Sequence, residues 1–164
     1  MSNVPSPDYA VLGLQLESLM EGCTHFLPVL ANASALLWQE MSGLNWAGFY
    51  LLRGDSLILG PFQGKPACTV IAVGRGVCGT AAQTRRTQRV PDVHAFPGHI
   101  ACDSASRSEL VVPLIGDDGR LYGVMDLDSP LPDRFDEADQ HGLEAFARLL
   151  VHADWSDLPA SVPE

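Results

Sequence analysis

The chain has 164 residues, enough for one full hydrophobic core, and its 20 acidic against 10 basic residues give a formal net charge of −10. That charge disfavours nucleic acid and anionic membranes as partners, and no apolar run approaches the ~20 residues of a membrane span. Because the N-terminus lacks a basic region followed by an apolar stretch, we expect a cytoplasmic protein without a secretory signal. Four cysteines in such a protein favour catalysis, metal binding or inert burial over a disulfide framework.

Apolar residues at helical spacing predict two helices near the N-terminus and one near the C-terminus. The first is expected over about residues 7–22, the second over 28–43 and the last over 136–151, beginning at the candidate N-cap Asp136. Residues 1–154 are expected to form a single domain, and residues 155–164 a frayed tail.

Between these helices the pattern changes to the period of two that is typical of strands. Strands are predicted over residues 45–52, 56–60, 69–73, 87–90, 109–115 and 120–129, with a short helix over 76–84. Residues 91–106 form a long polar loop, and loops of this length are usually functional. Strands joined in hairpins, with helices at both ends of the chain, indicate an α+β domain around a mainly antiparallel sheet of about six strands.

Three of the cysteines lie in segments rich in glycine or proline. Cys68 precedes a strand, Cys78 lies on the short helix and Cys102 lies in the long loop. None of them forms a Cys-x-x-Cys pair, so a thioredoxin-type motif is absent. Their setting favours thiol chemistry, although free cysteine is also a common buried residue. Cys23, in the connection between the first two helices, is expected to be a small buried hydrophobic residue without a chemical role.

Two other arrangements contain the residue types of known binding sites. Cys78 and Cys102 together with His94 and His99 could bind zinc, but their spacing matches no known zinc motif. Residues 74–79 (GRGVCG) match the dinucleotide-binding pattern G-x-G-x-x-G. That interpretation is rejected because the helix that follows is too short and no ribose-binding acid stands about 20 residues further on.

Acidic and aromatic residues at a spacing of two or four share strand faces. Asp126 and Asp128 project from one face of their strand, and Glu109 begins the neighbouring strand of the same hairpin. These carboxyls form either an acidic site or a solvated acidic face. Trp46 and Tyr50 lie on one face of another strand, as pocket walls or as core aromatics.

Five segments carry a resemblance to a known family. They are 45–50 (NWAGFY), 60–68 (GPFQGKPAC), 74–81 (GRGVCGTA), 90–109 (VPDVHAFPGHIACDSASRSE) and 126–129 (DLDS). Together they resemble free methionine-(R)-sulfoxide reductase, a GAF-domain enzyme, over about residues 38–150. The resemblance implies a single GAF domain that reduces free L-methionine (R)-sulfoxide through a sulfenic acid and an intramolecular disulfide.

The resemblance also implies the roles of the site residues. Cys102 is the expected nucleophile, Cys68 the resolving cysteine and Cys78 an auxiliary thiol, while the substrate pocket uses Trp46, Tyr50, Glu109, Asp126 and Asp128. No metal or other cofactor is implied. Thioredoxin is the expected reductant, and a homodimer is one expected assembly. Two alternatives stay open, a non-enzymatic GAF sensor of small molecules or redox state and a zinc-binding structural domain.

Overall fold

The computed structural model describes residues 4–159, which are built around one six-stranded sheet. Its strands are ordered β3-β2-β1-β6-β5-β4, and every neighbouring pair is antiparallel. The predicted α+β architecture with a six-stranded antiparallel sheet is therefore confirmed. In chain order the elements are α1 (Tyr9–Gly22), α2 (Phe26–Glu40), β1 (Trp46–Arg53), β2 (Ser56–Gly64), β3 (Val70–Ala72), α3 (Gly76–Thr84), β4 (Gln88–Val90), a short 3₁₀ helix (Val93–Ala95), β5 (Ser108–Ile115), β6 (Leu121–Ser129) and α4 (Glu137–Leu150).

The two faces of the sheet bury two separate apolar clusters. On one face, Ala47 and Phe49 of β1 and Met125 of β6 pack with residues of α1, α2 and α4. On the other face, Trp46 and Tyr50 of β1 pack with residues of α3. Since successive side chains of a strand alternate between faces, β1 supplies both clusters and is buried along most of its length. The second face carries the candidate site.

The long helices begin and end close to the predicted positions, and capping explains the differences. The Asp8 side chain accepts hydrogen bonds from the first turn of α1, which therefore starts at Tyr9 rather than at residue 7. The second helix was predicted from residue 28 but starts at Phe26, because the His25 side chain caps it and Pro28 is tolerated in the first turn. It ends at Glu40 rather than at residue 43, where Gly43 has a φ of +78°.

Strand β2 was predicted to end at residue 60 but continues to Gly64. Its pairing with β1 shifts register between Gly48 and Tyr50, which places Pro61 in an irregular part of the ladder where proline is tolerated. A Cβ on Gly48 would lie 2.3 Å from the Phe62 Cβ. The close approach of the two strands therefore requires glycine at position 48.

The expectation of a frayed tail from residue 155 is wrong for the part that the structure describes. Trp155 and Leu158 are buried, and Trp155 stacks on Phe26 and Tyr122 with ring centroids 5.1 and 4.4 Å apart. The backbone nitrogen of Phe26 donates to the Asp154 carbonyl at 3.0 Å. These contacts hold the segment after α4 against the start of α2. Residues 160–164 lie outside the described residues.

Within residues 4–159, none of the helices combines the length and the apolar character needed to cross a membrane.

Candidate active site

A pocket opens on the sheet face that packs against α3. Strands β1, β5 and β6, the first turn of α3 and the loops around residues 65–68 and 99–106 all contribute to its lining. The empty space between its walls, with the open mouth included, is about 560 Å³. All eight residues predicted for the site are at or beside it: Trp46, Tyr50, Cys78, Cys102, Glu109, Asp126 and Asp128 line it, and Cys68 is joined to Cys102.

A disulfide joins Cys68 and Cys102, with their Cα atoms 5.6 Å apart. The spacing of the cysteines left their pairing open, and the resemblance alone had implied this pair. Cys102 therefore offers no thiolate to a metal in this state, and His94 is hydrogen-bonded to Asp92 at 3.0 Å. The structure gives no support to the zinc set that includes these two residues.

The segment that carries Cys102 is held to the sheet by Asn45, which directly precedes β1. The Asn45 Nδ2 group donates to Asp103 Oδ2 at 3.1 Å and to Ser106 Oγ at 3.0 Å. The backbone nitrogen of Asn45 donates to the Asp128 carbonyl at 3.0 Å. One asparagine thus fixes the loop beside the nucleophile candidate to the strand that carries two of the carboxyls.

Glu109, Asp126 and Asp128, called here the acidic cluster, come from adjacent strands. Glu109 of β5 pairs with Asp128 of β6, and Asp126 lies two residues before Asp128 on the same face. Glu109 and Asp126 are only 6% and 5% exposed, and all three residues line the pocket. The alternative of a solvated acidic face is therefore wrong.

Burial changes the ionisation of the acidic cluster. It raises the pKa of Glu109 and of Asp128 well above their usual values, and the charge of Asp126 raises both further. Burial also raises the pKa of Asp126, to about 6, although hydrogen bonds from Glu109 and Cys78 oppose this rise. Because the charge of Asp126 raises the pKa of both neighbours, Asp126 is the carboxyl of the cluster that ionises most readily.

Cys78 lies in the first turn of α3 with its thiol directed to the acidic cluster. Its Sγ donates to Glu109 Oε1 at 3.9 Å. Burial raises the pKa of the Cys78 thiol, and the charges of Asp126 and Glu109 raise it further. Cys78 is consequently a protonated thiol near neutral pH rather than a free nucleophile. Among the described residues, Cys78, Glu109 and Asp126 also form a group of possible metal ligands whose donor atoms all lie within 4.8 Å of one another.

The glycines of the rejected dinucleotide pattern have structural reasons. Gly74 and Gly76 have φ values of +88° and +64°, which favour glycine. A Cβ on Gly79 would lie 2.6 Å from the Ala72 carbonyl oxygen. The pattern therefore provides a tight entry into α3, the helix that carries Cys78.

Trp46 and Tyr50 are both core aromatics and pocket walls. Their rings stack with centroids 5.8 Å apart, and both residues are almost fully buried. The Tyr50 hydroxyl donates to the Cys68 carbonyl at 2.9 Å, and Trp46 Nε1 donates to the Lys65 carbonyl at 3.2 Å. The two rings therefore also fix the segment that carries Cys68. Both interpretations that the sequence left open, pocket wall and core aromatic, therefore apply to these two residues.

The sequence prediction missed two basic residues of the site. Lys65 and Arg75 line the pocket, together with His99, which had been considered only as a zinc ligand. Lys65 stands three residues before Cys68 and Arg75 three residues before Cys78, so their closeness to the cysteines was the available signal. Besides them, His99 is the remaining basic residue of the lining, and burial lowers its pKa.

The matches to known proteins agree with this geometry. The GAF domain family model matches residues 16–153, so the sheet and its pocket define a GAF domain. The chain is 50% identical over 158 residues to the free methionine-R-sulfoxide reductase of Escherichia coli, covering 94% of this chain and 95% of that protein. The chain therefore belongs to the free methionine-R-sulfoxide reductase family of GAF-domain proteins.

Two solved structures are similar along almost their whole length. The reduced form of fRMsr of Staphylococcus aureus is 50% identical with a TM-score of 0.86, covering 93% of this chain and 97% of that chain. The free methionine-R-sulfoxide reductase of Neisseria meningitidis in complex with its substrate is 44% identical with a TM-score of 0.84, covering 92% and 93%. The fold assigned to the sequence is confirmed.

Proposed function

We propose that this chain reduces free L-methionine (R)-sulfoxide to methionine with Cys102 as the nucleophile and Cys68 as the resolving cysteine. The observation that carries the proposal is the Cys68–Cys102 disulfide at a pocket whose interior is a buried acidic cluster. The relatives whose names specify this substrate support the choice of a free amino acid sulfoxide.

The reaction is a two-electron exchange between sulfur atoms. The Cys102 thiolate attacks the sulfoxide sulfur, the oxygen atom passes to Cys102 as a sulfenic acid, and methionine leaves. The Cys68 thiol then attacks the sulfenic sulfur, which forms the Cys68–Cys102 disulfide and releases water. An external dithiol reduces the disulfide by thiol–disulfide exchange and is itself oxidised to a disulfide.

The acidic cluster supplies a proton donor and an anion in one place. Glu109 and Asp128, whose pKa values burial raises well above the usual range, are the proposed donors to the sulfoxide oxygen, and this hydrogen bond makes the sulfur more electrophilic. Asp126, which ionises most readily, is the proposed partner of the substrate ammonium. The bound positive charge also favours the Cys102 thiolate, which carboxylates alone would disfavour. Trp46 and Tyr50 are proposed to enclose the methyl sulfoxide end of the substrate.

This arrangement favours a free amino acid over a methionine sulfoxide within a peptide. In a peptide or an N-acylated compound the ammonium becomes an uncharged amide, and the ionised carboxyl of the acidic cluster loses its partner. A buried charged group left without a partner costs roughly 1–3 kcal/mol or more, which corresponds to about a tenfold to a hundredfold loss of binding. The enclosed pocket also excludes a peptide chain on steric grounds.

Turnover with free and N-acetylated methionine sulfoxide tests the proposal. With dithiothreitol as reductant, the free R epimer is expected to be consumed over many cycles and the N-acetylated compound at least tenfold more slowly. Without reductant, the reduced enzyme is expected to release about one methionine per chain. A GAF sensor would consume at most one oxidising equivalent whether or not reductant is added.

Single cysteine variants separate the two roles. Cys102→Ser is expected to release no methionine even in one turnover, whereas Cys68→Ser is expected to release one equivalent and then stop as a sulfenic acid. Cys23→Ser is the matched control, because Cys23, contrary to the expected burial, is exposed and lies outside the pocket lining. Release of a full equivalent of methionine by Cys102→Ser would refute the assignment of the nucleophile.

The reductant and the assembly are part of the same proposal. A thioredoxin is the proposed physiological dithiol, in a cytoplasmic setting, and a homodimer is the proposed assembly. Turnover supported by thioredoxin, its reductase and NADPH tests the first, and sedimentation velocity of the full chain tests the second.

A further inference from the structure

We propose that Cys78, Glu109 and Asp126 form a binding site for a thiophilic divalent cation, and that Zn²⁺ is the ion this donor set fits best. The three residues come from α3, β5 and β6, so each ligand is carried by a different element of regular structure. The proposed reductase mechanism gives none of them a metal-binding role.

The distances are close to those that a tetrahedral ion needs. The donor atoms all lie within 4.8 Å of one another, and Cys78 Sγ is 3.9 Å from Glu109 Oε1. With Zn–S near 2.3 Å and Zn–O near 2.1 Å, tetrahedral geometry places sulfur and oxygen about 3.6 Å apart and two oxygens about 3.4 Å apart. No pair needs to move closer by more than about 1.4 Å, which side-chain rotation within the pocket can supply.

The donor types select the ion. One thiolate with two carboxylates is a mixed soft and hard set, which suits Zn²⁺ and its spectroscopic substitute Co²⁺. Mg²⁺ and Ca²⁺ require six or more oxygen ligands and gain nothing from sulfur. Because the pocket opens to solvent beside these residues, the ion has an entry path, and water can take the fourth position.

A second feature of the site favours binding of a cation. Asp126 Oδ1 is buried and has no hydrogen-bond partner among the described residues, although its residue lines the pocket. A buried carboxylate oxygen without a partner is unfavourable, and a bound cation would satisfy it. Binding displaces the Cys78 thiol proton, and any proton on the carboxyls, to solvent. The resulting thiolate and two carboxylates carry three negative charges, of which Zn²⁺ neutralises two.

If the proposed reductase function holds, the ion takes the carboxylate that receives the substrate ammonium. Zn²⁺ is then an inhibitor that competes with substrate rather than a cofactor. This consequence rests on the proposed function, but the existence of the site does not, and binding can be measured without substrate or turnover.

The disulfide allows a specific optical test. In the Cys23→Ser variant with the Cys68–Cys102 disulfide intact, Cys78 is the one remaining thiol of the four cysteines. Titration of this protein with Co²⁺ is expected to produce a thiolate-to-cobalt charge-transfer band and the visible spectrum of a tetrahedral ion. Zn²⁺ is expected to abolish both signals at stoichiometric amounts.

Ligand variants in the same background complete the test. Cys78→Ser is expected to remove the charge-transfer band, while Asp126→Asn and Glu109→Gln each weaken Co²⁺ binding at least tenfold. Asp117→Asn, which changes an acidic side chain that is 89% exposed, is the matched control and is expected to bind like the parent. Thermal unfolding checks that each variant is folded. Absence of the band in the folded parent, or a band that persists in Cys78→Ser, would overturn the proposal.

Discussion

The replacement Asp126→Asn is expected to stabilise the protein near neutral pH although it removes a residue of the site. Burial raises the pKa of Asp126 from 3.8 to about 6. A carboxyl whose pKa is higher in the folded than in the unfolded protein binds its proton more tightly when folded. The stability that this group contributes is therefore full below pH 3.8 and is lost as the pH rises through about 6.

The size of the effect follows from the two pKa values. Each pKa unit corresponds to about 1.4 kcal/mol, and the interval from 3.8 to about 6 amounts to about 3 kcal/mol. Part of that loss has already occurred at pH 4. The free energy of unfolding of Asp126→Asn, relative to the parent, is therefore expected to rise by about 2–3 kcal/mol between pH 4 and pH 7.

Urea unfolding at a series of pH values measures this difference. Both proteins keep the Cys68–Cys102 disulfide, so that the redox state is the same at every pH. Glu17→Gln serves as the control because Glu17 is an exposed acidic residue on α1, outside the pocket lining. A difference between Asp126→Asn and the parent that does not change from pH 4 to pH 7 would refute the argument that Asp126 carries a raised pKa.

Three further substitutions test the packing around the site. Gly48→Ala places a Cβ 2.3 Å from Phe62 Cβ and 2.8 Å from a backbone oxygen. Thermal unfolding should therefore show that the free energy of unfolding falls by about 1–3 kcal/mol or more. Gly22→Ala is the control, because the space at that position is open, and its stability should change little. Asp139→Asn breaks the fully buried ion pair with Arg134 and is expected to lower the free energy of unfolding in urea by about 3–5 kcal/mol; an unchanged value contradicts this. Asn45→Ala is expected to speed hydrogen exchange of residues 103–106, whose side-chain anchor it removes, while exposed Asn32→Ala leaves that exchange unchanged.

Local patterns in the sequence predict much of the fold and of the acidic cluster. The spacing of Asp126 and Asp128 fixes a shared strand face, and the hairpin that joins their strand to the preceding one brings Glu109 opposite Asp128. Apolar periodicity likewise locates every long helix to within a few residues. These features depend on neighbours in the chain, so the sequence alone predicts them.

The features that the sequence did not predict depend on contacts between distant segments. Strand β2 continues through Pro61 because the register shift opposite β1 accommodates the proline. Trp155 is buried because Phe26 and Tyr122, more than thirty residues away, provide its ring contacts. Lys65 and Arg75 become site residues only when two loops fold over the same face of the sheet.

The Cys68–Cys102 bond has a consequence for the sheet as a whole. Cys68 precedes β3 and Cys102 follows β4, and these strands are the two outer edges of the sheet. Six adjacent strands spaced about 4.8 Å apart would put those edges about 24 Å from each other in a flat sheet, yet the bonded cysteines have Cα atoms 5.6 Å apart. The bond is thus a covalent link between segments that adjoin opposite edge strands of the sheet. Its reduction removes that link, so the redox state of the two cysteines also decides whether the two segments are joined covalently.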